Sequence, residues 1–103
     1  MIIGEVRTFP NVKADKEQVL KILEEAAEVY SAWESWEEFE NPSLKWSYVA
    51  CSKYRDLLSE CADVIQATCN LMSALGVEDA TYQMEQCEKR NAKRGRYDIQ
   101  ESA

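Results

Sequence analysis

With 103 residues the chain is the size of one domain, with room for three or four helices and a modest core. Three glycines and two prolines are too few for a many-turned β fold. A net charge of −7 argues against a nucleic-acid partner, and no stretch is apolar for long enough to imply a membrane.

Residues 1–14 are mixed in character and contain Pro10, so they are expected to form an extended arm. The start Met1-Ile2-Ile3-Gly4-Glu5 lacks the basic-then-apolar pattern of a signal peptide, and a cytoplasmic location is expected. Asp15 followed by Gln18 has the form of a helix N-cap with its capping-box partner. Val19, Ile22, Leu23, Ala26, Val29, Tyr30 and Trp33 then recur at helical spacing, predicting a first helix to about residue 38. Asn41-Pro42 reads as a break and restart.

The aromatic-rich segment Leu44, Trp46, Tyr48 and Val49 could form a separate short helix. Tyr54, Leu57, Leu58, Cys61, Val64, Ile65, Thr68, Leu71, Met72 and Leu75 predict an amphipathic helix that Gly76 ends. A last helix is expected from about Asp79 to Gly95, carrying Ala80, Met84 and Cys87 inward. The resulting expectation is an all-α fold, an antiparallel bundle of three to four helices over residues 15–96. A loose tail is expected over 97–103.

Five pairs have an acidic residue three positions after a glutamate: Glu25/Glu28, Glu34/Glu37, Glu37/Glu40, Glu60/Asp63 and Glu85/Glu88. Such spacing puts both carboxyls on one helix face. About two or three pairs would arise by chance in so acidic a chain, so environment has to separate them. Glu34, Glu37 and Glu40 lie in an acidic run and read as a solvated face. Glu25 falls in line with Ile22 and Val29, and Glu60 with Leu57 and Val64. A carboxylate inside an apolar stripe needs a partner.

Antiparallel packing of the two helices could gather Glu25, Glu28, Glu60 and Asp63 into one wall. Four carboxylates there repel unless a hard cation lies between them. The chain has no histidine, and Cys51, Cys61, Cys69 and Cys87 lack C-x-x-C spacing, which disfavours zinc and suits unpaired structural thiols. Oxygen donors alone suit Mg²⁺, or Mn²⁺, a cation often completed by substrate phosphates.

Five of the twelve basic residues fall within 89–96, on an otherwise acidic chain. Arg90 and Arg94 are one turn apart and could converge on a phosphate group, with Asn91 between them. The plainer alternative is that these cations complement the negative end of the last helix. Gln66 and Asn70 continue the Asp63 face and could touch a ligand or make ordinary interface hydrogen bonds. Trp33, Trp36, Trp46 and Tyr48 could stack a nucleobase or belong to a core or subunit interface.

Taken together, Glu24-Glu25-Ala26-Ala27-Glu28, Glu60-Cys61-Ala62-Asp63 and Arg90-Asn91-Ala92-Lys93-Arg94 resemble the MazG-like all-α nucleoside triphosphate pyrophosphohydrolases. Order, spacing and helical placement carry the resemblance, over about residues 16–97. It implies Mg²⁺-dependent hydrolysis of a nucleoside triphosphate to monophosphate and pyrophosphate through a metal-activated water. Glu25, Glu28, Glu60 and Asp63 would be the catalytic metal ligands, and Arg90, Asn91, Lys93 and Arg94 would hold phosphates. It also implies a homodimer or homotetramer whose neighbouring subunits complete the site. The chain departs from the pattern in its long, aromatic-rich interval between the acidic motifs and in Ala67, where some relatives place a tyrosine. The base and the sugar are therefore left open. A second possibility is a non-catalytic acidic helical oligomer that binds a protein through the Trp-rich surface of residues 33–48.

Overall fold

A computed structural model of the chain describes residues 1–39 and 47–99. They contain three helices, α1 (Lys16–Glu37), α2 (Tyr48–Ala74) and α3 (Thr81–Lys93), and no strand. Glu40, Asn41, Pro42, Leu44 and Trp46, on which the acidic run, the break and part of the aromatic segment depend, lie outside the described residues.

Helices α1 and α2 each start at a short polar side chain. The Asp15 carboxylate accepts from the Gln18 backbone N–H at 3.0 Å, and the Ser47 hydroxyl accepts from that of Ala50 at 3.1 Å. The capping box is only half made. Instead of turning back to Asp15, the Gln18 amide donates to the Ala67 carbonyl at 3.0 Å, tying α1 to α2. At the head of α3, Asp79 Oδ1 accepts from the Thr81 backbone N–H and hydroxyl at 2.9 and 2.6 Å.

The ends of α2 and α3 share one construction. After α2, Val77 N–H donates to Met72 C=O and Gly76 N–H to Ser73 C=O, both at 3.0 Å. After α3, Arg96 N–H and Gly95 N–H reach Asn91 C=O and Ala92 C=O in the same way, again at 3.0 Å. Both are Schellman closures, which need a left-handed residue, and Gly76 (φ +96°) and Gly95 (φ +71°) supply it.

Helices α1 and α2 pack antiparallel along their lengths. Gln18 meets Ala67 at one end, and the Trp36 and Tyr54 rings lie 6.0 Å apart towards the other. The inner seam buries Ala50, Leu57 and Ala67 together with Glu25 and Asn70. The N-terminal arm lies along the last turns of α2. Asn70 Oδ1 accepts from Phe9 N–H at 3.1 Å and from the Gln66 amide at 2.9 Å. That amide also donates to the Arg7 carbonyl at 3.0 Å.

Two expectations are corrected. Tyr48 and Val49 do not belong to a separate short helix; they open the continuous α2, because Ser47 supplies its cap. Helix α3 packs against neither α1 nor α2, so Met84 is 63% exposed rather than inward. The physical reason lies in its composition. Its apolar positions are few, and the closure at Gly76 releases the chain away from the hairpin.

Candidate metal centre

The register of the hairpin sets the site. Glu25 occupies the inner face of α1, in line with half-buried Ile22 and Val29, and is 91% buried, with 9% of its surface exposed. Across the seam Glu60 is half-buried on α2, and Asp63, one turn further on, faces outward. One carboxylate oxygen from each of Glu25, Glu60 and Asp63 lies within 4.8 Å of the others. Glu60 Oε2 is buried without a hydrogen-bond partner. A buried carboxylate oxygen with no donor is costly, and a cation or a proton held by a neighbouring carboxyl would satisfy it.

Glu28 adjoins this triad from the solvent side. Its contact with Glu25, and then that with Glu60, hold its pKa above the usual glutamate value of 4.5. The like charges of the two neighbours act in the same direction. Among the described residues, the cation within 4.0 Å of a carboxylate here is Lys21, whose Nζ stands 3.1 Å from Glu25 Oε1 and 4.0 Å from Glu24 Oε2. Hydrogen bonding to Glu25 raises the Lys21 pKa above the usual lysine value. Sequence periodicity did not single out Lys21. Its spacing of four from Glu25 was the available signal.

The donor chemistry fits a hard divalent cation. All three converging ligands are carboxylates, and no thiol belongs to the group. Oxygens on one octahedral Mg²⁺ stand about 3 Å apart when adjacent and about 4.2 Å apart when opposite, so the three oxygens, which lie within 4.8 Å of one another, would draw together on binding.

The basic segment is placed elsewhere. Arg90 and Lys93 on α3 and Arg94 at its C-cap are exposed and Asn91 is half-buried, and α3 packs against neither helix of the acidic site. Asn91 instead donates to the Cys87 thiol at 3.5 Å. Gln66 and Asn70 hold the N-terminal arm, which accounts for their polarity without a ligand. Trp33 and Trp36 stack obliquely at 5.3 Å, and Trp36 meets Tyr54, while Tyr48 projects into solvent. Glu34 and Glu37 are exposed, as a solvated acidic face requires, and all four cysteines are free.

Comparison with protein-family models, with curated proteins and with solved structures finds no match to the chain. None of the described helices is long and apolar enough to cross a membrane.

Proposed function

We propose that the protein is a Mg²⁺-dependent nucleoside triphosphate pyrophosphohydrolase acting in the cytoplasm as a homodimer or homotetramer. The observation that carries this reading is the convergence of one carboxylate oxygen each from Glu25, Glu60 and Asp63, with Glu60 also holding a buried oxygen that lacks a hydrogen-bond partner. A bound Mg²⁺, or Mn²⁺, would supply a water of lowered pKa and screen the phosphoryl oxygens.

The chain's own residues have distinct tasks. Glu25, Glu60 and Asp63 would hold the cation in a setting that is dry on the side of Glu25. Glu28 lies close enough to complete the set or to take a proton from the attacking water. That water's oxygen bonds to the α-phosphorus, the bond to the bridging oxygen breaks, and pyrophosphate leaves. Arg90, Asn91, Lys93 and Arg94 would bind the departing phosphates. Because α3 stands apart from the hairpin of its own chain, these groups are expected from a neighbouring copy.

The direct test is pyrophosphate release from a panel of ordinary and modified nucleoside triphosphates with Mg²⁺ or Mn²⁺. Turnover of at least one nucleotide is expected, with Glu25→Gln and Asp63→Asn each lowering kcat by about a hundredfold or more. No turnover across the panel, together with unchanged metal affinity in both variants, would reject the enzyme.

A non-catalytic interaction module is favoured by one observation. Trp33, Tyr54 and Tyr48 leave much of their rings uncovered near one end of the hairpin. Thermal melts separate the two readings. A metal site raises Tm when Mg²⁺ is added, the stabilisation reaching about 2.7 kcal/mol at a hundred times Kd. A pure interaction module shows no such rise.

A further inference from the structure

Among the described residues, the ion pairs within 4.0 Å are those that Lys21 makes with Glu24 and Glu25. The shorter, at 3.1 Å, falls on the most buried ligand of the acidic triad. Lys21 lies one turn before Glu25 on α1, with its own side chain 53% exposed, so its head reaches the site from solvent. A lysine placed four residues before a glutamate is the weaker order for a helical ion pair, and the long aliphatic stem can swing away. An ammonium and a divalent cation on one carboxylate also repel each other.

We propose that Lys21 is the built-in counter-ion of the acidic site, holding Glu25 while the site lacks a divalent cation and leaving it when one binds. The inference rests on the metal-site reading above. It assigns Lys21 as a positioning residue that sets how tightly the site takes metal. Without Lys21, Glu25, Glu28, Glu60 and Asp63 would face one another with no cation among the described residues within 4.0 Å of them, and the metal-free hairpin would weaken. With Lys21, the metal has a competitor to displace.

The experiment is Mn²⁺ binding to the full chain, followed by electron paramagnetic resonance, alongside thermal melts with and without Mn²⁺. Wild type is compared with Lys21→Met, Lys21→Gln, Lys16→Met and Glu25→Gln. Lys16 lies on the same helix with no carboxylate among the described residues within 4.0 Å, so its replacement reports the general charge effect. Lys21→Met and Lys21→Gln are expected to bind Mn²⁺ about five- to tenfold more tightly than wild type. Lys16→Met should change affinity by less than about twofold. The metal-free Lys21 variants should melt below wild type, and saturating Mn²⁺ should close the gap. Lys21 variants that bind as wild type, as Lys16→Met, or more weakly overturn the counter-ion role. If wild type binds no Mn²⁺, or Glu25→Gln binds as wild type does, the metal-site reading falls and takes this inference with it.

Discussion

At Glu60 a single oxygen decides between a structural and a chemical role. Burial without a donor penalises Oε2 in the metal-free chain, and neighbouring carboxyls add to that penalty. Replacing Glu60 by Gln supplies an N–H₂ donor in the same volume. Glu60→Gln should therefore raise Tm without metal and abolish the rise that Mg²⁺ produces, measured by calorimetry. A purely structural Glu60 would instead give a lower Tm on substitution and leave the metal response intact. Glu28 adds a pH signature. Its folded-state pKa lies above 4.5, so the folded chain holds this proton more tightly than the unfolded one. The stability it contributes is then complete below pH 4.5 and lost as pH rises through the folded-state value. Metal-free melts should accordingly show a component that strengthens as pH falls from about 7 towards the ordinary glutamate range, and Glu28→Gln should remove it. Equal pH profiles for the two proteins would count against the crowding of Glu28 by Glu25 and Glu60.

The two Schellman closures make the helix ends testable as elements. A Cβ at Gly76 would meet nothing within 4 Å, so Gly76→Ala isolates the cost of the left-handed backbone. It should lower stability by about 1 kcal/mol in urea titration, with the metal response unchanged. At Gly95 a Cβ would also stand 3.0 Å from the Asp98 carboxylate, the far end of a side chain that can yield. Helix α3 itself shows how capping and packing come apart. Asp79, Thr81 and Gly95 define its two ends locally, whereas its direction is free of α1 and α2. Its cationic last turn is consequently available to another molecule.

For the whole molecule, the core of one chain is thin. Ala50, Leu57 and Ala67 are its buried apolar residues among those described, and the radius of gyration is 17.3 Å. A compact domain of this length would have about 13 Å. Along α1, Val19, Leu23, Ala26, Tyr30 and Trp33 follow a four-three spacing and are all exposed, Leu23 by 62% and Tyr30 by 66%. On α2, Tyr54, Leu58 and Ala62 are exposed at intervals of four. Helical geometry puts both stripes on one flank of the hairpin, opposite Glu28 and Asp63. A second copy laid on that flank would bury the apolar surface and leave the acidic site open. Sedimentation equilibrium should give a dimer or tetramer, and Leu23→Glu with Tyr30→Glu should shift it to monomer. A monomeric wild type would leave the stripes unexplained by self-association. If neighbouring copies share the site, mixing inactive Asp63→Asn chains with inactive chains carrying Arg90→Ala and Arg94→Ala should restore part of the activity.

Local rules written into the chain were enough to place the Asp15 cap of α1 and the glycine closures after α2 and α3, because caps and left-handed glycines act over a few residues, but they did not place the start of α2 at Ser47. Periodicity also picked Glu25 and Glu60 out of the acidic residues, since a carboxylate in line with Ile22, Val29, Leu57 and Val64 has to face the seam. What the tertiary structure alone decided was the register that brings Asp63 and Glu60 beside Glu25, the diversion of the Gln18 amide to Ala67, and the separation of α3 from the hairpin. Each depends on which surfaces bury together over long stretches of chain. The spacing of acidic and basic motifs along a helix specifies a face, but the matching of two faces depends on the packing of every side chain between them.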